Sequence, residues 1–184
     1  MLQSFCPIYE VLIILFATFK LQPHNTAMKI TLIIVGKTED AWLKDGIDKY
    51  LKRLKHYTRL DLLEITELKN TKALTPEQQK TKEAEFILKK LSPLDHVILL
   101  DENGAELSST QFAAWIDKKA LSSVANLVFI VGGPYGFDPS VYQRSNDKIS
   151  LSRMTFSHQM VRLFFAEQLY RAFTIIKGEP YHHE

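Results

Sequence analysis

The chain has 184 residues, 46% of them hydrophobic and 24% charged, a balance that supports one globular domain with a sizeable core. Its formal net charge is only +2, which excludes a protein that wraps nucleic acid by charge alone; any nucleic-acid contact must be local, or made by a dimer that combines two modest patches. The single cysteine, Cys6, excludes a disulfide within the chain and a cysteine-based zinc site, and it fits a reducing compartment.

The apolar run Val11 to Phe19 is nine residues long, whereas a membrane span needs roughly 20. Glu10 precedes the run and no positive side chain does, which departs from a secretory signal. The expectation is that residues 1–27 are a start-site extension and that the native product begins at Met28, with a short signal or anchor as the alternative. From Lys29 to Lys37 the sequence predicts a buried strand ending at Gly36. Glu39 to Tyr57 predicts a helix, with Trp42, Ile47, Tyr50, Leu51 and Leu54 recurring on its apolar side. Leu60 to Thr66 predicts a second strand. Thr75, Pro76 and Gln78 form a capping-box pattern that opens a helix running to about Leu91, where Pro93 stops it.

Asp95 to Gly104 predicts a third strand, with Asn103-Gly104 as its turn, and Ser108 to Leu121 a third helix behind a serine or threonine cap. Ala125 to Gly133 predicts the fourth strand. Asp138 caps a short helix, Lys148 to Ser152 predicts a fifth strand, and the last helix spans Ser157 to Ile176 before Gly178. Strands alternate with helices, so the expected class is α/β with a mainly parallel sheet, and residues 28–184 form one domain.

Ligands of open α/β sheets bind beyond the carboxyl ends of the strands. Three corners fall there: Leu100-Asp101-Glu102, Gly132-Gly133-Pro134, and Leu151 to Phe156. The glycine corner lacks the lysine of a phosphate loop, and Pro134 biases Gly133 away from helical angles, so phosphate cradling is disfavoured. Two readings remain. One is a side-chain-free wall that a flat ligand such as adenine can approach; the other is an ordinary tight turn.

The last helix is apolar almost all round, more than a single core-facing stripe requires. A second buried side suggests a subunit interface, and a homodimer is expected through it. Glu167 and Arg171 stand one turn apart, either as a simple helical pair worth about 0.3–0.5 kcal/mol or as site residues. His158 and Arg162 are likewise one turn apart. The tail Tyr181-His182-His183-Glu184 has metal-ligand residue types, but consecutive residues rarely converge on one ion, so no metal is expected.

Taken together, Met28 to Thr38, Leu100 to Gly104, Phe129 to Phe137 and Leu151 to Glu184 resemble the bacterial ribosomal RNA large subunit methyltransferase H family, of the SPOUT class. The resemblance covers residues 28–184. It implies a mainly parallel sheet whose C-terminal part forms a deep trefoil knot, and S-adenosylmethionine as methyl donor. Leu100, Gly132, Leu151, Ser152, Arg153, Met154, Thr155 and Phe156 match the family's cofactor positions. The implied reaction is methylation of N3 of pseudouridine 1915 in 23S rRNA of the assembled ribosome, in the cytoplasm, by an obligate homodimer whose substrate pocket crosses the interface.

By side-chain type His158 is a candidate base for the N3 proton and Glu167 a second; Arg162 and Arg171 are candidates to stabilise imidate charge or grip phosphate. Tyr181, His182 and His183 match a family tail that reaches over the partner's pocket towards RNA. Two other readings stand beside this one: a ribosome-binding module of the same fold without catalysis, and a SPOUT enzyme acting on tRNA.

Overall fold

Apolar side chains alternate between two covered faces along the central strands, and this pattern builds the sheet. A computed structural model describes residues 28–68, 71–122 and 124–183, so the expectation for residues 1–27 lies outside the described part. The strands are β1 (Lys29–Val35), β2 (Leu60–Ile65), β3 (His96–Glu106), β4 (Asn126–Val131) and β5 (Asp147–Ser150). They lie in the order β2-β1-β4-β3-β5, and every pairing is parallel. Ile30, Leu32 and Ile34 of β1, with Leu127, Phe129 and Val131 of β4, face one core; Ile33, Val35, Val128 and Ile130 face the other. Burial on both faces explains why these strands read as continuous apolar runs.

The helices are α1 (Ala41–Leu54), α2 (Pro76–Leu88), α3 (Ser109–Leu121), α4 (Pro139–Arg144) and α5 (His158–Ile176), with a short 3-10 turn at Thr71–Ala73. The helices α1, α3 and α5 cover the first face; α2 and α4 cover the second. Caps set the helix starts. Thr75 accepts from the Gln78 amide and Gln78 returns the bond, Ser108 and Gln111 repeat the box, and Ser157 accepts from the Met160 amide at the head of α5.

Two expectations change. Trp42 is 57% exposed, and α1 buries Leu43, Ile47 and Leu54 instead. Asn103-Gly104 does not end β3: Leu100 and Ala105 both register with Ile149, so residues 101–104 form a bulge and the strand resumes. A Cβ on Gly104 would stand 2.6 Å from Ile149 N and 2.7 Å from Ser150 N, so this glycine lets two backbones touch. The edge strand β5 is tied down at its start, where the Asp147 carboxylate meets His96 Nε2 at 2.6 Å and Lys119 Nζ at 3.0 Å.

Helix α5 lies between α1 and α3. Gly46 of α1 lets Leu163 approach, with a hypothetical Cβ 3.0 Å from Leu163 Cδ1. Ser109 of α3 donates to Gln168 Oε1 at 2.9 Å. These flanking helices account for much of its all-round apolar character. A half-exposed stripe of Met160, Phe164, Glu167 and Arg171 remains.

Candidate active site

The bulge within β3 and the ends of β4 and β5 deliver the three predicted corners to a single cavity of about 710 Å³, within the size range of small-molecule sites. Leu100, Asp101 and Glu102 line it from β3, residues 131–137 from the end of β4, and Leu151, Ser152, Met154, Thr155 and Phe156 from the segment after β5. The head of α5 adds Ser157, His158 and Val161.

The glycine corner is both of the things its sequence allowed. Gly136 N–H donates to Gly133 O at 3.2 Å, and Gly136 has φ 77°, so residues 133–136 close a tight turn with Pro134 at its second position. The same turn walls the cavity. Helix α4 begins only at Pro139, so no helix N-terminus opens from the glycines. A Cβ on Gly132 would come within 3.2 Å of the Phe137 ring, so backbone rather than side chain forms this part of the wall.

Hydrogen bonds hold the other two walls. Tyr142 donates to Asp101 Oδ2 at 2.6 Å; burial and the nearby Asp101 push its phenol pKa up, so it keeps the proton. Asp101 Oδ1 accepts the Asn103 amide at 2.9 Å, which shapes the bulge. After β5, Ser150 Oγ donates to Ser152 O and Ser152 Oγ accepts the Met154 amide, both at 2.9 Å. Arg153 is the one residue of the 151–156 run whose side chain turns away: it pairs with Glu106 at 2.8 Å on the surface.

His158 and Arg162 share a helix face but not an environment. His158 lines the cavity, half-buried, while Arg162 is 1% exposed. Arg162 donates to Val35 O at 2.7 Å and to Thr38 Oγ1 at 3.0 Å, tying α5 to the end of β1. It is placed to support the site and not to touch a ligand. Burial first, and the Arg162 charge second, hold the His158 pKa below its ordinary 6.5. Gln159 takes the Glu39 amide on Oε1 and donates Nε2 to Lys37 O at 3.0 Å, so the NH₂ also faces His158 Nε2, at 3.3 Å. That contact requires a lone pair on Nε2, so the neutral ring carries its proton on Nδ1.

Glu167 at the middle of α5 and Arg171 one turn on gather with Tyr181 and His182 of the tail. Glu167 Oε1 receives Arg171 at 2.6 and 3.1 Å and Tyr181 Oη at 3.1 Å, while Oε2 receives Gln168 at 2.7 Å. Arg171 also lies 4.8 Å from the Tyr181 ring centroid and 3.3 Å from His182 Nδ1. Tyr181 further meets Tyr50 at 3.4 Å, and Tyr57 bonds Glu179. His183 is exposed. Nine and thirteen residues separate Glu167 and Arg171 from His158, about 14 and 20 Å along a helix. This cluster therefore lies away from the cavity of its own chain.

Sequence reasoning missed the support behind these walls. Phe137, Tyr142 and Gln159 are not singled out in the sequence, because their roles depend on tertiary neighbours. Among the described residues, no group of three or more His, Cys, Asp or Glu is placed to hold a metal ion, and no helix is long and apolar enough to cross a membrane.

The chain is an α/β protein of the SPOUT methyltransferase class, with a cavity at the carboxyl rim of its parallel sheet. The family model described as "Predicted SPOUT methyltransferase" matches residues 28–182. The chain is 56% identical over 157 residues to the ribosomal RNA large subunit methyltransferase H of Bacteroides fragilis, covering 85% of this chain and 100% of that one. Identity and coverage are the same for the protein of that name from Flavobacterium psychrophilum. The Cytophaga hutchinsonii protein is 56% identical over 156 residues, again 85% and 100% covered. The chain belongs to the ribosomal RNA large subunit methyltransferase H family.

Proposed function

We propose that this chain methylates N3 of pseudouridine 1915 in 23S rRNA of the assembled ribosome, acting in the cytoplasm as a homodimer with S-adenosylmethionine as donor. One observation carries the proposal: the β3 bulge and the segments after β4 and β5 converge on a single cavity in a chain aligned along the full length of relatives named for methylating large-subunit rRNA.

The cavity suits the donor. Leu100, Gly132, Leu151 and Phe156 offer apolar and backbone surface to a purine, with polar groups at Asp101, Glu102, Ser152 and Thr155 for the rest. Met154 lines the same wall, whereas Arg153 is not among the lining residues and pairs with Glu106 on the surface. When bound, S-adenosylmethionine supplies an electrophilic methyl group on a sulfonium centre. The C-terminal part of the chain, from β4 through α5, is proposed to be threaded as a deep trefoil knot around this site.

A uridine imide nitrogen becomes a nucleophile only when it loses its proton. His158 Nε2 accepts that proton: it lies at the cavity edge, it is neutral, and only a long contact from Gln159 competes for its lone pair. Glu167 is the weaker candidate, since both its oxygens are already engaged. Arg171, Tyr181, His182 and His183 belong to the substrate side. Their distance from their own chain's cavity suits a dimer in which each copy presents this cluster to the other's site. The half-exposed stripe of α5 would face the partner. Arg171 then offers charge to the developing imidate, and Tyr181 a ring on which a base can stack.

The test is methyl transfer to purified ribosomes lacking the modification, with the product located by mass spectrometry. The expected product is one methyl group at N3 of that pseudouridine. Methylation of tRNA alone, or none anywhere, would overturn the proposal.

A further inference from the structure

Glu83 of α2 is a carboxylate buried to 5% exposure, with no ion-pair partner among the described residues. One oxygen accepts from Gln79 Nε2 at 2.8 Å, and Gln79 is itself buried. The carboxyl group lies against Gly133. A Cβ built on Gly133 finds its three nearest heavy atoms all in that group, with Oε1 at 2.9 Å and Cδ at 3.0 Å. The backbone of Gly133 is not left-handed; Gly36, Gly136 and Gly178 are the glycines with positive φ among the described residues. Alanine could therefore adopt the conformation of residue 133, and what stands in its way is Glu83.

We propose that Glu83 is a positioning residue for donor binding: its carboxyl group, oriented by Gln79, braces Gly133 from behind and so fixes the turn that walls the cavity. The proposal rests on the reading of that cavity as the S-adenosylmethionine site. It gives a use to a group that is costly to bury unpaired. Burial raises the Glu83 pKa against the opposing bond from Gln79, and Glu67 pushes the same way. The carboxyl shape is the same in either protonation state, so the brace is steric.

S-adenosylmethionine affinity by calorimetry, measured with the full chain, tests this through one double-mutant cycle. Gly133→Ala should weaken binding severalfold, about three- to tenfold, because the carboxyl group that meets the new methyl is buried and held by Gln79, so the turn shares the displacement. Glu83→Ala should also weaken it, by leaving the turn unsupported. In Glu83→Ala/Gly133→Ala the methyl group fills the vacated space, so affinity should return to within about threefold of wild type, the range of modest packing adjustments. Glu83→Gln keeps the shape and should bind within about twofold of wild type. The brace is overturned if the double variant binds no better than Gly133→Ala. It is equally overturned if Glu83→Gln loses as much as Glu83→Ala, which would make the effect one of charge. Melting curves of all four variants identify any that fail to fold; if Glu83→Ala is among them, a folded Glu83→Gln chain that binds donor about tenfold more weakly than wild type still overturns the steric brace. A wild-type chain that binds no donor would remove the cofactor reading itself, and the brace with it; normal wild-type binding with an additive cycle removes only the brace.

Discussion

Burial and a nearby cation lower the pKa of His158, and among the described residues no carboxylate is hydrogen-bonded to it. A depressed imidazole pKa leaves the basic form present at neutral pH and below the ordinary 6.5. The methylation rate should therefore stay flat on moderate acidification and fall only below that value. His158→Gln should slow transfer by about 10²–10⁴-fold, the usual contribution of a general base, and remove that acid limb. A pH–rate series on ribosomes measures both; an unchanged limb in the variant would exclude His158 as the base. Arg162 behaves differently although it is one turn away. Arg162→Met leaves Val35 O and Thr38 Oγ1 buried without a donor and should cost about 2–4 kcal/mol of stability, read by denaturant unfolding. The spacing of His158 and Arg162 was legible in the sequence, since residues four apart share a helix face. Their difference in depth was not, because it depends on how far the end of β1 reaches under α5. Glu83 was illegible for the same reason: a Lys- and Glu-rich helix gives no sign of which carboxylate meets a glycine of the fourth strand's loop.

The elements themselves were largely written in local chemistry. Continuous apolar runs marked the central strands, and the Thr75-Gln78 box and a serine or threonine cap ahead of α3 marked two helix starts near their observed positions. The exceptions have physical causes. Asn103-Gly104 carries turn residues, yet β3 continues because β5 pairs with it on both sides of the bulge. Trp42 matched the helical period but faces solvent, one position from Leu43, which is buried. Gly104→Ala should shift β5 and lower stability by about 1–3 kcal/mol, as overpacking against backbone does. Leu169→Ala, in the α5 core where that residue is 0% exposed, should cost about 2–5 kcal/mol. Chemical denaturation checks both, and Gly104→Ala should in addition weaken donor binding, since β5 leads directly into the 151–156 wall.

At the scale of the whole molecule, each chain holds a cavity at the head of α5 and the Glu167–Arg171–Tyr181 cluster from the middle of α5 to the tail. If two copies exchange these regions, a His158→Gln chain and an Arg171→Ala chain, each inactive alone, should regain about a quarter of wild-type activity when co-assembled, since half the dimers are mixed and each carries one intact site. Activity that stays absent in the mixture would place both residues in a single chain's site. Removing residues 180–184 should likewise leave donor affinity unchanged while abolishing transfer. The most direct measurement is a crystal structure of the chain with S-adenosylmethionine. The expected result is the donor lodged in the cavity against Gly132 and the Leu151–Phe156 segment, with its methyl group facing His158. A donor bound at any other surface, leaving the β3 bulge and the segments after β4 and β5 untouched, would contradict the account.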